Sequence, residues 1–301
     1  NINDGYCHKD CYRYEFDNYG IKNVCGMEII VEKIYIDKYK AADRKNIYNS
    51  EAKVIAIVLA GGRGSRMNSS IPKQFMNIND RPVIYYSLRT FQESDLIDDI
   101  ILVTGKNDIE YCKKEIVDKY NFTKVMDIVA GGAERYNSVY NGLQAVMKIN
   151  ERIKKFSGSD VTNDNIEKSE EYVMIHDGAR ACITDEIIQN CYTDVKNYKA
   201  CVAAVPVKDT IKVTDDNGFA INTPDRSTLW QVQTPQTFEF KLVYEAYNKM
   251  IKDENRGNIT DDAMVVENYS NTKVKMSLSQ YSNIKITTPD DIVVAKSYLE
   301  L

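Results

Sequence analysis

From Lys53 to Val205 the chain alternates short apolar runs with amphipathic stretches, and this alternation limits the possible folds more than any other feature. Runs at 54–59, 99–103, 124–129, 171–176 and 200–205 are rich in Val and Ile, which suit a pleated, buried backbone. Helical stretches are expected between them at about 82–93, 107–120, 134–148 and 184–196. In the third, Tyr136, Val139, Tyr140, Leu143 and Val146 recur at three- and four-residue spacing and line one helix face. Pro82 suits a first helical turn, where its missing N–H would be an orphan anyway. This βαβα order predicts an α/β, Rossmann-like, mostly parallel sheet with helices on both faces, because parallel strands need crossover connections. In such sheets ligands gather at the carboxyl ends of the strands.

Three glycine-containing segments follow strand ends: Ala60-Gly61-Gly62-Arg63-Gly64-Ser65-Arg66, Gly131-Gly132, and His176-Asp177-Gly178-Ala179-Arg180. A glycine turn with inward N–H groups is an anion nest. Arg63, Arg66 and Lys73 beside the first turn point to a highly charged anion, as a nucleoside triphosphate is. The turn is not a Walker A loop, since no Gly-Lys-Ser/Thr follows. It is not the dinucleotide fingerprint either, because Met67 stands where the third glycine belongs. Alone, the loop suits equally a plain βα turn with glycines for geometry and arginines for solubility.

A chain of 301 residues, 43% of them hydrophobic, can bury a substantial core in one large or two small domains. A net charge of −5 argues against a general nucleic-acid binder and gives weight to locally placed cations such as Arg66 and Lys73. No apolar stretch reaches the roughly 18–20 residues of a membrane span. No signal-peptide pattern opens the chain, so a cytoplasmic location is expected. The seven cysteines, an odd number, read as reduced core thiols. Cys7, His8, Cys11 and Cys25 have poor spacing for a tetrahedral zinc site, and no protein-borne metal site is expected.

Residues 1–52 form a Tyr-rich, charged extension of unassigned role, with one alternating run at Met27–Ile36. Residues 53–301 form the main domain, interrupted by a polar stretch at 150–170 that reads as a surface insertion. Within 206–238 the alternation of Pro206–Thr214 and the turn signal Asp215-Asp216-Asn217-Gly218 predict a projecting β-hairpin arm. The unpaired edges of such an arm call for a partner chain, so a homodimer is expected. A strand from about Val274 and a helix from Pro289 close the chain.

Eight segments then occur in register: Leu59–Met67, Pro72-Lys73-Gln74, Gly131–Ser138, His176–Arg180, Val205–Ile211, Leu229–Gln236, Ile259–Asp262 and Asn283–Thr287. Together they resemble the 2-C-methyl-D-erythritol 4-phosphate cytidylyltransferases of the non-mevalonate isoprenoid pathway, over nearly all of 53–301. The resemblance implies a nucleotidyltransferase that joins CTP to the alcohol phosphate, releasing pyrophosphate, with Mg2+ held mainly by the CTP phosphates. It implies catalytic roles for Arg66, Lys73 and Lys285, while Arg63 is a bystander. It implies nucleotide binding by Ala60, Gly61, Gly62, Gly64, Gly131, Gly132 and Ser138. It implies substrate binding by Asp177, Arg180, Arg226 and Thr260, with Arg226 reaching across from a partner subunit. His176 and Trp230 read as packing residues. Ala133, Asn137 and Ala181 depart from residues common in the family. Two alternatives share much of this pattern: a ribitol-5-phosphate cytidylyltransferase of cell-wall synthesis, and a non-catalytic nucleotide-binding relative. The first tends to carry Ser-Val-Arg where this chain has Gly178-Ala179-Arg180. Retention of Arg66, Lys73 and Lys285 argues against the second.

Overall fold

A computed structural model of the chain describes residues 16–17, 20–21, 52–62, 67, 71–156 and 170–300. Arg63, Gly64 and Arg66 lie outside the described residues, as do the Met27–Ile36 run, Cys7, His8, Cys11 and Cys25. The chain divides into two compact units, Asn1–Glu51 with Ile149–Ser169, and Ala52–Lys148 with Glu170–Leu301. The first contains a two-residue antiparallel pair, Phe16–Asp17 with Gly20–Ile21.

The second unit is built on seven strands: β1 (Ala52–Ala60), β2 (Asp99–Thr104), β3 (Val125–Ala130), β4 (Glu170–Asp177), β5 (Ala200–Pro206), β6 (Trp230–Glu239) and β7 (Lys275–Leu278). They lie in the order β7-β5-β6-β4-β1-β2-β3. The pairs β1–β2, β2–β3, β1–β4 and β5–β7 are parallel, and β6 runs antiparallel to both β4 and β5. All six residues of β2 are buried, the mark of a strand covered on both faces.

The helices are α1 (Val83–Glu93), α2 (Arg135–Phe156), α3 (Asp185–Tyr198), α4 (Phe240–Lys252), α5 (Asp262–Tyr269) and α6 (Pro289–Leu299). On α1, Ile84, Leu88 and Phe91 recur at helical spacing and pack with Val54, Ala56, Val58, Ile100 and Leu102. Ile187, Cys191 and Val195 of α3 join the same cluster. The opposite face is covered by α2, where a Cβ on Gly142 would stand 2.7 Å from Ile57 and 3.2 Å from Val103. Helices therefore cover both faces of a mostly parallel sheet. Pro289 occupies the first turn of α6, behind a capping box formed by Thr288 and Asp291.

Three elements differ from the sequence reading. The stretch expected as a helix at 107–120 combines a 3-10 turn (Lys106–Asp108), a short α segment (Ile109–Tyr111) and a π-helical stretch (Cys112–Asp118). Helix α2 continues to Phe156, into the stretch read as an insertion, of which 157–169 lie outside the described residues. The expected arm at 206–238 is shorter, because β6 belongs to the central sheet and pairs along β5 from Trp230↔Pro206 to Phe238↔Ala200. Its glutamines and threonines conceal a core strand. Gln233, Thr234, Gln236 and Thr237 are buried, and the first three act as hydrogen-bonding cross-links.

Candidate active site

The carboxyl ends of β1, β3 and β4 carry the segments selected above. At the end of β1, the buried Gln74 amide donates to the Ala60 carbonyl, 2.5 Å away, and anchors the Pro72-Lys73-Gln74 segment there. Beside it the Lys73 ammonium donates to the Ile286 carbonyl at 2.9 Å. Among the described residues, a Cβ on Gly61 would meet nothing closer than 3.8 Å, and one on Gly62 nothing within 4 Å.

At the end of β3 the turn closes on itself. Gly131 N–H donates to the Thr104 carbonyl (2.7 Å) and Gly132 N–H to Ser138 Oγ (3.0 Å). The resemblance implies that this backbone binds the nucleotide, but both N–H groups are engaged within the protein. Gly132 is sterically required, because its Cβ would lie 2.3 Å from Asn137 Cβ.

At the end of β4, Asp177 is buried between cations. Lys285 Nζ stands 2.7 Å from one carboxylate oxygen and Arg135 Nε 3.4 Å from the other. Burial opposes ionisation, but Arg135 and Lys285 outweigh it and hold this carboxyl well below the usual range. Arg135 also binds Asp262 through both terminal nitrogens at 2.8 Å, a bidentate fork. The Tyr247 hydroxyl donates to the same carboxylate at 2.5 Å. Gln236 fixes the start of α5: its oxygen accepts from the Asp262 and Ala263 N–H groups and its amide donates to Asp261. Thr260 is exposed just before this turn, its hydroxyl near the Met264 sulfur.

The tail bearing Lys285 is held from several sides. Arg180 donates to the Asn283 carbonyl at 2.7 Å, and the Asn283 amide donates to Gln233 and the Thr234 carbonyl. Ile286 N–H bonds the Ala179 carbonyl, and the Ile286 side chain joins a small core with Val83, Cys182 and Ala295. The Arg180 guanidinium, expected at the substrate, thus braces the loop that presents Lys285. Arg226 is exposed on the arm and donates to the Lys208 carbonyl at 2.9 Å.

His176 is fully buried, with its ring edge-on to Phe91. Its Nε2 faces the Arg180 carbonyl at 3.3 Å and its Nδ1 faces Thr234 Oγ1 at 3.0 Å. A carbonyl only accepts, so Nε2 carries a proton. Burial lowers its pKa from 6.5 to about 4. In that interval the unfolded chain holds the extra proton, so the folded state weakens as pH falls. Below the unfolded value of 6.5 the loss is about 1.4 kcal/mol per pH unit. Urea unfolding should therefore give a stability about 1.4 kcal/mol lower at about pH 5.5 than at about pH 7.5, and His176→Gln should remove the difference. An equal difference in that variant would remove His176 as its source.

Sequence reasoning assigned no role to Arg135, Tyr247, Gln236 or Asp262. Arg135 and Asp262 stand inside quoted motifs, 127 residues apart, and only folding joins them. No local signal marked the pair, since Arg135 follows Glu134 at a helix start and reads as an ordinary surface cation.

Residues 54–155 and 160–301 match the family model described as 2-C-methyl-D-erythritol 4-phosphate cytidylyltransferase. A protein of that name from Lachnospira eligens is 50% identical over 245 residues, covering 81% of this chain and 98% of the relative. One from Clostridium botulinum is 46% identical over 243 residues, covering 81% and 97%. Among solved structures, 4-diphosphocytidyl-2C-methyl-D-erythritol synthase from Anaerococcus prevotii is 32% identical with a TM-score of 0.66, covering 85% of this chain and all of that one. The shared sheet, the ordered motifs and these matches lead to one conclusion: the chain belongs to the 2-C-methyl-D-erythritol 4-phosphate cytidylyltransferase family.

Proposed function

We infer that this chain is a nucleotidyltransferase that moves the cytidylyl group of CTP onto 2-C-methyl-D-erythritol 4-phosphate, releasing pyrophosphate and forming 4-diphosphocytidyl-2-C-methyl-D-erythritol. The observation that carries the reading is the attachment of Lys73 to the tail segment that carries Lys285. Lys73 bonds the carbonyl of Ile286, and the adjacent Lys285 lies on Asp177 at the carboxyl end of β4.

The substrate phosphate attacks the α-phosphorus of CTP in line. Both reactants are anions, so the barrier is largely repulsion and misalignment, and fixed cations reduce both. The attacking phosphate is already ionised and needs no general base. Lys73, Lys285 and Arg66 supply the charge, Arg66 on the grounds of its motif. The backbone at Gly61 and Gly62, with Gly64, receives the nucleotide, and Ala60, held by Gln74, fixes where that loop leaves β1. The Gly131-Gly132 turn, braced by Ser138, offers carbonyl oxygens as acceptors for the cytosine amino group. Asp177 accepts hydrogen bonds from the alcohol hydroxyls and Thr260 lies at the same edge. Arg180 serves this site through the tail it braces.

Mg2+ enters with the triphosphate. Both Asp177 oxygens are already engaged by cations, so that carboxylate offers a metal no uncontested ligand. Among the described residues no group of three or more His, Cys, Asp or Glu is arranged to hold an ion.

The arm exposes apolar side chains, with Phe219 at 72% and Ile221 at 66%, which supports a homodimer in which Arg226 serves the partner's site. A cytoplasmic setting suits the four free, buried cysteines among the described residues; burial pushes the Cys112 and Cys182 thiols up to about 11. No helix among the described residues is long and apolar enough to cross a membrane. Pyrophosphate release from CTP with Mg2+ should be faster with 2-C-methyl-D-erythritol 4-phosphate than with ribitol 5-phosphate at equal concentration. Faster turnover of the ribitol compound overturns the substrate assignment, and no turnover with either overturns the reaction.

A further inference from the structure

Four charges alternate in a row across the site: Lys285, Asp177, Arg135 and Asp262. The two cations are held differently. Lys285 touches Asp177 through a single ammonium at the end of a flexible stem, and its side chain is 38% exposed. Arg135 is locked by a two-point fork onto Asp262, whose side chain is fully buried and also receives the Tyr247 hydroxyl. Its Nε is left for Asp177. A guanidinium serves two carboxylates at once in this way, where an ammonium cannot match the planar fork.

We propose that Arg135 is a positioning residue: anchored by Asp262 and Tyr247, it is the standing counterion of Asp177 and frees Lys285 to move from Asp177 to the phosphates of the bound substrates. This rests on the functional reading above and deepens it. Without Arg135, the departure of Lys285 would leave a buried carboxylate unpaired, which is strongly unfavourable. With Arg135 in place, Asp177 stays ionised and oriented. The oxygen that Lys285 vacates then accepts from the hydroxyls of the alcohol phosphate.

Two experiments test this on the full chain. In the first, the 15Nε resonance of Arg135 and the 15Nζ resonance of Lys285 are followed as CTP and Mg2+ are added, each assigned by its loss in Arg135→Lys or Lys285→Arg. The Lys285 signal should shift while that of Arg135 stays within its free-state position. Movement of the Arg135 signal with Lys285 stationary overturns the proposal. This readout needs no turnover, so it stands whichever alcohol phosphate is the substrate.

In the second, the double variant Arg135→Gln/Asp262→Asn removes both partners of the buried pair together. CTP affinity should stay within about threefold, while kcat/KM for the alcohol phosphate falls about 100-fold. Asp177 would then face Lys285, Arg180 and the neighbouring His176 alone, so its carboxyl rises toward the usual range and the acid limb of the kcat/KM profile should move up. A folded variant with unchanged kcat/KM and an unmoved acid limb overturns the proposal; wild-type activity in the same assay separates that failure from failure of the functional reading. If the double variant does not fold, Arg135→Lys is read by the same two criteria.

Discussion

Lys73→Ala should lower kcat by about 1,000-fold or more while the CTP dissociation constant changes less than about tenfold. The ammonium makes a hydrogen bond of 2.9 Å to the Ile286 carbonyl, which fixes its place against the tail. Ground-state binding of CTP is spread over the glycine loops and several cations, so losing one of them is tolerated. The transition state concentrates charge on the oxygens around the α-phosphorus, where a fixed cation is worth most. Lys73→Arg should recover little, because a planar guanidinium cannot repeat a point charge at the same position. Equal losses in CTP affinity and turnover would reduce Lys73 to a binding residue. The same variant tests the dimer. Mixed with Arg226→Ala subunits, it should recover about a quarter of wild-type activity, since half of the random pairs contain one intact site. No recovery on mixing would remove the trans role of Arg226.

Asp262→Ala should cost about 3–5 kcal/mol of folding stability, the range for removing one partner of a buried ion pair. The Arg135 side chain is 29% exposed, so water offsets part of the loss and the low end is expected. Three groups lose an acceptor together: both terminal nitrogens of Arg135 and the Tyr247 hydroxyl. For a domain of this size the melting temperature should drop by about 10 °C. Arg135→Gln/Asp262→Asn should be less destabilised than the sum of its single substitutions, because neither change then strands a charge. Additive losses in that cycle would show that the two side chains do not stabilise one another.

The strands and glycine turns were legible because their signals are local. Val and Ile runs at β1, β2 and β5, Pro289 ahead of α6, and the glycines after β1 and β3 each declare their structure within a few residues. The order of their motifs linked Lys73, Asp177 and Lys285; the structure sets Lys285 on Asp177 and Lys73 on the carbonyl of Ile286, the next residue along. Other parts were not. Strand β6 reads as a polar arm because its buried Gln233, Thr234 and Gln236 are satisfied by residues far along the chain. Arg180 reads as a substrate cation, but its nearest acceptor is the Asn283 carbonyl, 103 residues away.

By itself the sequence determined a mostly parallel sheet, the loops at its carboxyl edge and the charges those loops bring, because periodicity and glycine punctuation act over short distances. Only the tertiary structure decided which cation faces which carboxylate: Arg135 with Asp262, Lys285 with Asp177. A charge acts through space, and its partner is selected by whichever strand ends and helix starts the fold brings within a few ångströms, here from positions 127 and 108 residues apart along the chain (262 minus 135, and 285 minus 177).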